Sequence, residues 1–351
     1  MSNQIPIRGR GTAENPANRF IPLQRVKEEW DSELDPAPHT RFFHDHSRTA
    51  LTSNNSPDIP FNYSLNPYRG CEHGCIYCYA RPTHEFLSLS SGLDFESQIF
   101  VKLKAPELLR KELSSKHWQP QSVSMSGVTD AYQPIERRLE LTRKCLEVFA
   151  DFQNPVSIVT KNALVTRDID ILNRLSAINA CAVFISITTL DNELARVMEP
   201  RASSPQARLK AIAQLAQAGI PVGVMNAPII PGLNDHETPE ILKQAAAAGA
   251  RTAGYVVLRL PYSIKELFTN WLNRHFPAKA NKILNRIRLI RDGTLYNSAF
   301  GSRMTGEGEW ANFYKKFFRL HKRNAGLTQS DIQLSATSFR NPAGYQRSLF
   351  D

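Results

Sequence analysis

The sequence of 351 residues predicts an α/β protein whose core is an open, partial barrel of six parallel strands. Two observations support this fold class. Six short runs rich in β-branched residues alternate with amphipathic stretches at the spacing of strand–helix–strand units, and such units form parallel sheets. Six strands are also too few for a complete barrel of eight strand–helix units. The chain is long enough for one large barrel-type domain with an extension.

Each predicted element follows from a local pattern. The strands are apolar runs rich in β-branched residues, and the helices place apolar residues at intervals of three and four. The predicted strands span residues 61–66, 122–126, 156–160, 182–188, 222–227 and 254–258. The predicted helices between them span residues 136–149, 192–197, 207–218 and 239–248.

Three regions of the chain differ in composition. Residues 1–56 are polar, rich in Pro, Asn and Arg, and show no sustained period, so we predict an N-terminal arm that is mobile or draped over the rest. Residues 57–263 contain the strand–helix pattern and form the predicted barrel. Residues 264–351 form a predicted basic, mostly helical C-terminal extension.

Positive charge is concentrated in this extension. The chain has a formal net charge of +10, and residues 279–326 contribute +8 of it through eleven cations and three anions. Such a balance favours a polyanionic partner, a class that includes nucleic acid. Aromatic residues are interleaved with the cations: Trp310, Phe313, Tyr314, Phe317 and Phe318. Aromatics in that setting can stack on bases, but their helical spacing also fits a buried helix stripe, which is the interpretation we favour.

The sequence contains no sign of export or of a membrane span. The first residues, MSNQIPIR, lack the apolar core of a secretory signal, and no apolar run approaches the ~20 residues that a spanning helix needs. We therefore expect a cytoplasmic protein with no membrane partner. In that reducing compartment, clustered cysteines indicate a metal site or catalysis rather than disulfides.

Three of the five cysteines fall in one loop, GCEHGCIYCY, at residues 70–79. Cys71, Cys75 and Cys78 have the spacing Cys-x3-Cys-x2-Cys. Iron–sulfur clusters normally take four thiolates, so three thiolates leave one iron of a [4Fe–4S] cluster open to a substrate or cofactor. A zinc site completed by His73 or His84 is an alternative, although zinc ligands usually come in two separated pairs. Simple packing of the three thiols is the third interpretation.

The cysteine loop, with Tyr77 before its last cysteine, resembles the cluster loop of the radical S-adenosylmethionine superfamily. With residues 66–69 (NPYR) before it and 129–134 (TDAYQP) after it, it resembles the branch grouped with spore photoproduct lyase, labelled DNA-repair-photolyase-like. The resemblance implies a partial (β/α)6 barrel of the TIM type with the cluster at its C-terminal mouth.

The resemblance also implies a reaction. S-adenosylmethionine (AdoMet) would chelate the open iron, and one electron from a donor such as flavodoxin or ferredoxin would pass through the cluster. AdoMet is then cleaved to methionine and a 5′-deoxyadenosyl radical, which abstracts hydrogen from the substrate.

The same resemblance implies AdoMet contacts at the ends of successive strands. The second strand ends in a segment similar to the family's Gly-Gly-Glu segment, which receives the ammonium, although this chain keeps only one of the two glycines. The next two strands end in polar residues similar to those that reach the ribose and the carboxylate, and the fifth strand is similar to the one that packs the adenine. The implied contacts are Tyr77, Ser126, Gly127, Thr129, Asp130, Thr160, Lys161, Ser186, Thr188, Glu199, Arg201 and Asn226.

Several of these residues have a structural alternative. Asp130 could equally form a turn or cap a helix. Lys161 could be a solvated lysine at a strand end, and Arg201 could form an ion pair with a glutamate at the surface. Cys145 and Cys181 are interpreted as core residues, since free cysteine is among the most buried residue types. Reversal of spore photoproduct, which needs a further cysteine as hydrogen donor, is therefore not expected as such.

The substrate has three interpretations. The first is radical chemistry on nucleic acid, and the second is the same chemistry on a peptide or small molecule. The third is a non-catalytic, metal-bearing protein that binds nucleic acid. Polar residues at the ends of successive strands favour catalysis, because a structural metal site does not need polar side chains around the opening of the barrel. No catalytic residue beyond the cofactor contacts is assigned.

Overall fold

The structure, a computed structural model, describes residues 7–21, 39–328 and 332–342. Its strands, in chain order, are β1 (Arg41–His44), β2 (Leu51–Ser53), β3 (Tyr63–Leu65), β4 (Tyr68–Arg69), β5 (Gln98–Val101), β6 (Val123–Met125), β7 (Val156–Thr160), β8 (Cys181–Ser186), β9 (Val222–Ile229) and β10 (Thr252–Val257). Its α-helices are α1 (Leu93–Ser97), α2 (Ala105–Leu113), α3 (Glu136–Leu139), α4 (Leu141–Phe152), α5 (Ile169–Ser176), α6 (Asn192–Met198), α7 (Pro205–Gln217), α8 (Thr238–Ala247), α9 (Ile264–His275), α10 (Pro277–Leu289) and α11 (Gly308–Asn324).

The main sheet has seven strands in the order β10-β9-β8-β7-β6-β3-β2. Its six strands from β3 to β10 pair in parallel, and each overlaps one of the six predicted strands. The remaining strand, β2, adds to β3 in antiparallel fashion and forms one edge, while β10 forms the other. Within the described residues the sheet does not close, so the prediction of a partial barrel is confirmed.

The central strands show why the sequence folds this way. Every residue of β8 except Phe184 is buried, and a strand covered by helices on one face and by the barrel interior on the other has no exposed face to make polar. The polar residues come at the C-terminal ends, where Thr160 closes β7 and Ser186 closes β8. Parallel strands bring these ends to one edge of the sheet, which is where the active sites of α/β barrels lie.

One predicted helix is divided in the structure. The stretch 136–149 forms α3 and then α4, with Glu140 in a left-handed conformation between them at φ 51°. The carboxylate of Glu136 accepts hydrogen bonds from the backbone N–H groups of Thr142 (3.0 Å) and Arg143 (3.4 Å), which are free at the start of α4. The helical period continues across the break, so it gave no signal of it.

Described parts of the predicted N-terminal arm are packed against the barrel. β1 pairs with β5 in a small sheet of order β1-β5-β4, and β2 joins the main sheet. Nearer the N-terminus, the backbone N–H of Gly11 donates to Glu96 (2.9 Å), and the side chain of Asn18 donates to the carbonyl of Leu89 (2.9 Å). Residues 1–6 and 22–38 of the arm lie outside the described residues. The boundaries of the three predicted regions stay a prediction.

The C-terminal extension is helical, as predicted, through α9, α10 and α11. α9 and α10 place their apolar faces against the cysteine loop, in a cluster that includes Cys75 and Trp271. In α11, Tyr314 and Phe318 enter the main core, Trp310 and Phe317 are partly buried, and Phe313 is 61% exposed. The interpretation of the aromatic stripe as a buried helix face is therefore confirmed except at Phe313. None of the described helices has the length and hydropathy of a membrane span.

A pair of substitutions in α11 tests this packing. Tyr314→Ala removes a buried ring, whose hydroxyl is 2.5 Å from Thr238 Oγ1, and we expect the free energy of unfolding to fall by about 3–5 kcal/mol. Phe313→Ala one position earlier removes an exposed ring, and we expect a change within about 0.5 kcal/mol. Urea unfolding followed by circular dichroism measures both. Equal effects would show that α11 is not docked in this orientation.

Candidate active site

The cysteine loop lies at the C-terminal side of the sheet, just after β3 and β4. Its backbone is tied to two neighbouring segments: Cys71 N donates to Phe95 O, and Ile76 N donates to Met198 O, both at 3.0 Å. Within the loop, Cys78 N donates to Cys75 O at 3.2 Å. The loop therefore has a defined path that keeps all three cysteines on one short turn.

Two glycines allow this path. Gly70 and Gly74 have φ values of +80° and +65°, a region that side chains disfavour. A Cβ atom on Gly74 would lie 2.6 Å from Glu96 Oε2, and one on Gly70 would lie 2.8 Å from the ring of His84. Both positions are therefore restricted to glycine by conformation and by space.

Arg81, a buried arginine that was not among the predicted site residues, holds the cysteine loop through hydrogen bonds to its backbone. The side chain of Arg81 is fully buried, and its guanidinium donates to the carbonyls of Cys75 (3.0 Å) and Gly74 (3.2 Å). It also forms an ion pair with the equally buried Glu96, with N···O at 2.5 Å. Arg81 follows Cys78 by three positions in the sequence, but its partner Glu96 lies 15 residues further on and carries no pattern.

The three thiols are buried or half-buried and close to one another. Burial raises the pKa of Cys71 well above its ordinary value, and the charges of Asp130 and Cys75 raise it further. Burial also raises the pKa of Cys75 and of Cys78. Cysteines in such surroundings bind metal only if the metal itself stabilises the thiolates, and iron in a sulfide cluster does so.

The geometry does not favour zinc. Among residues 7–21, 39–328 and 332–342, no group of three or more His, Cys, Asp or Glu side chains surrounds a single ion position. His73 is engaged with Asp130 through Nδ1 (3.3 Å) and with Asn162 through Nε2 (3.2 Å). His84 Nε2 lies 2.9 Å from Gln98 O. Three close thiols without a shared single-ion position fit a cluster, in which each thiolate binds a different iron.

The segment after β6 lies against the cysteine loop. Thr129 Oγ1 donates to Gly70 O at 2.6 Å, and the side chain of Asn66 accepts from Gly127 N at 2.9 Å. Ser126 has a φ of +78° and accepts the backbone N–H of Ala131. The strand end and the cysteine loop are thus held in one piece.

Asp130 is the charged residue of this segment, and it joins three elements. Its carboxylate accepts from Thr160 Oγ1 (2.7 Å) and from Lys161 N (2.8 Å), and it faces His73 in the cysteine loop. Burial alone would raise the pKa of Asp130, but the charge of His73 and these hydrogen bonds lower it to about 2. Asp130 also accepts Tyr132 N at 2.9 Å, so the turn that the sequence analysis left open is present too.

A second polar network crosses the ends of β7 and β8. Lys161 Nζ donates to Ser186 Oγ (2.5 Å) and to Ala227 O (3.2 Å), and it lies 3.8 Å from Glu199 Oε1. Thr188 Oγ1 donates to the same carboxylate at 2.6 Å. The structure therefore brings together these four predicted residues, which are separated by up to 38 positions in the chain.

Glu199 is the centre of this network. The hydroxyl of Tyr77 donates to it from the cysteine loop, and the buried guanidinium of Arg208 pairs with its other oxygen. Burial would raise the pKa of Glu199, but the charges of Arg208 and Lys161 lower it to about 2. Arg208 was not predicted; it lies inside α7, where only its partner distinguishes it from a surface arginine.

Two predicted contacts lie apart from this network. Arg201 pairs with Glu72 of the cysteine loop (3.1 Å) and donates to Thr40 (3.1 Å); because Glu72 is buried, this is not the surface ion pair left open above. Asn226 is fully buried: its amide donates to Ile187 O, and its oxygen accepts from Thr238 on α8. Its role toward an adenine stays a prediction.

The other two cysteines are core residues, as interpreted from the sequence. Cys145 and Cys181 are completely buried, and the thiol of Cys181 contacts Leu172 O at 3.2 Å. Neither belongs to the network at the mouth.

Comparison with known proteins agrees with this geometry. The model of the radical SAM superfamily matches residues 65–245, just over half the chain. An uncharacterized protein of Mycobacterium tuberculosis H37Rv is 38% identical over 230 residues, which are 65% of this chain and 68% of the relative. The "Radical SAM Nalpha-GlyT isomerase" of Pseudomonas phage M6 is 25% identical over 218 residues, 62% of this chain and 43% of that protein.

Solved structures show the same fold. Spore photoproduct lyase complexed with dinucleoside spore photoproduct superposes with a TM-score of 0.59 over 81% of this chain and 79% of its own, at 18% identity. That level of identity shows the fold alone. With the family model covering the cysteine loop, both polar networks and strands β4 to β9, the chain belongs to the radical S-adenosylmethionine superfamily.

Proposed function

We propose that this protein is a radical AdoMet enzyme in which Cys71, Cys75 and Cys78 hold a [4Fe–4S] cluster. The observation that carries the proposal is the trio of thiols on one loop, two buried and one partly buried. Among the described residues, no three His, Cys, Asp or Glu side chains surround a single ion position. Membership of the superfamily supports an enzyme over a non-catalytic metal protein. The cluster, when bound, supplies the electron that cleaves AdoMet and so generates the radical that abstracts hydrogen.

The chain's own residues bind and orient the cofactor. The charge of Lys161 acts on the thiols of Cys75 and Cys78, and its ammonium group reaches the ends of neighbouring strands, so we assign it to the carboxylate of AdoMet. Ser186, Thr188 and Thr160 offer hydroxyl groups on the same edge of the sheet. Glu199 stays ionised, because its pKa is lowered to about 2, and it keeps Lys161 directed at the mouth.

We place nucleic acid first among the substrates. The basic extension exposes Lys315, Lys316 and Arg319 on α11, and such a surface attracts phosphates. The fold is similar to that of spore photoproduct lyase, which has been solved with a dinucleoside lesion. A peptide or small-molecule substrate is the alternative. The reductant would be a low-potential carrier such as flavodoxin or ferredoxin.

The cysteine assignment is tested by removing each thiol in turn. We expect Cys71→Ala, Cys75→Ala and Cys78→Ala to lose bound iron and all formation of 5′-deoxyadenosine, because each thiolate holds a separate iron. Anaerobic reconstitution with iron and sulfide, reduction with dithionite and chromatography of added AdoMet measure both quantities.

The matched control is Cys145→Ala, which removes a thiol that lies on α4 and is buried in the hydrophobic core. We expect this variant to bind iron and to cleave AdoMet as the unaltered protein does. Cleavage that survives the loss of any one of the three loop cysteines would overturn the assignment.

Lys161 is tested by its effect on AdoMet affinity. Lys161→Met removes a charged donor, and we expect the AdoMet dissociation constant of the reconstituted protein to rise about 10- to 100-fold while iron content is unchanged. Equilibrium dialysis measures the affinity. Lys210→Met, an exposed lysine on α7, is the control and should have no effect. Unchanged AdoMet affinity in Lys161→Met would mean that Lys161 is a strand-end lysine that does not contact the cofactor.

A further inference from the structure

The mouth of the barrel is crossed by a tyrosine and an arginine that the proposed function leaves unused. Tyr79 follows the last cysteine of the loop, and its hydroxyl donates to Gly127 O after β6 at 2.5 Å. Arg259 comes two residues after β10, and its guanidinium lies 4.8 Å from the centre of the Tyr79 ring. Strands β6 and β10 are four places apart in the sheet, so the pair lies over the mouth beside Cys78.

Arg259 has unused hydrogen-bonding capacity. Among residues 7–21, 39–328 and 332–342, its buried Nε has no hydrogen-bond partner, and its Nη1 contacts only the sulfur of Met304, at 3.5 Å. Within the described residues, Arg259 forms no ion pair with a carboxylate. A partly desolvated guanidinium without an anion is costly, so a protein that keeps one has a use for it.

The surroundings of Arg259 increase the local positive charge. Arg291 is buried nearby, and its pKa is lowered to about 10 by burial and then by the charge of Arg259. Arg303 lies in the same region, and it is fully occupied by a two-point ion pair with Asp58 (2.6 and 2.5 Å). Asp58 is therefore already paired with Arg303, although the charge of Arg259 also acts on it, and Glu307 acts on Arg291. Arg259 forms an ion pair with neither of these described carboxylates and is left for an external anion.

A loop fixes Arg259 in this position. Arg291 donates to Ser302 O (2.9 Å) and to Leu258 O (2.8 Å), and Val257 N donates to Met304 O (2.8 Å). The loop before α11 is thereby attached to the end of β10, directly beside Arg259. A site built on such supports is preorganised rather than formed by a freely moving side chain.

The rim around Arg259 is aromatic. Tyr79 is 46% exposed, Tyr262 56% and Phe300 60%, and the guanidinium of Arg303 lies over the ring of Phe300 at 4.7 Å. Exposed rings beside an unpaired arginine match single-stranded nucleic acid, because bases stack on rings while phosphates bind arginine. An isolated carboxylate or phosphate would use the cation but not the rings.

We propose that Arg259 binds a backbone phosphate of the nucleic-acid strand at the mouth, and that the ring of Tyr79, packed against the guanidinium, holds it in position. This inference rests on the proposed function, since it takes nucleic acid as the substrate class. The phosphate would be bound through the Nη atoms of the guanidinium, because Nε is buried. The strand would then pass directly over Cys78 and the cofactor contacts of the mouth.

The test compares two single arginine variants in the reconstituted protein. The probe is a fluorescein-labelled oligonucleotide of ten thymidines, titrated anaerobically and followed by anisotropy at several salt concentrations. We expect Arg259→Gln to raise the dissociation constant about tenfold and to reduce the slope of its salt dependence by about one phosphate contact. Arg196→Gln, with the same change of charge at an exposed helix position, is expected to leave both unchanged.

AdoMet binding is measured in the same preparations, and we expect Arg259→Gln to retain it. A variant that loses AdoMet affinity but binds the oligonucleotide normally would overturn the inference, because Arg259 would then be a cofactor contact. Equal oligonucleotide affinity in Arg259→Gln and the unaltered protein would also overturn it and leave the proposed function standing. If the unaltered protein cleaves AdoMet but does not bind the oligonucleotide, the nucleic-acid substrate fails together with the inference.

Discussion

The buried guanidinium of Arg81 is the interaction on which the shape of the cysteine loop depends. A buried charge is stable only when it is paired and its donors are satisfied. Glu96 supplies the opposite charge, and the carbonyls of Gly74 and Cys75 supply acceptors that the loop would otherwise leave unpaired. The loop therefore keeps its path through protein contacts alone, so the thiols need little rearrangement when a metal binds.

The same principle organises the rest of the mouth. Two buried carboxylates organise it: Asp130 connects the cysteine loop to the end of β7, and Glu199 connects the loop to the ends of β7 and β8. Their partners hold the pKa of each carboxylate low, so each fixes polar groups from more than one element at once. Because breaking a buried pair leaves an uncompensated charge, these contacts resist local opening. Rigid polar networks of this kind suit a reaction in which a reactive intermediate must be kept in one place.

The sequence predicted the six strands because they depend on local pattern, and the cysteine site, which stays a prediction, depends on local pattern too. β-branched runs specify strands within a few residues, and the cysteine spacing is confined to eight positions. The break at Glu140 was missed because the helical period continues through it. The partners Glu96 and Arg208 were missed because a buried ion pair is a property of the folded chain, and no local spacing marks it. The burial of Asn226 depends in the same way on α8 docking against β9.

The ion pair between Asp58 and Arg303 joins residues 245 positions apart and links the two edges of the open sheet. A ribosome adds about 5–20 residues per second, so roughly 10–50 s pass between the synthesis of these two residues. The cysteine loop is made near the start of that interval. During translation the thiols are therefore present well before the ion pair with Asp58 can link the two edges of the sheet, because that pair must wait for Arg303.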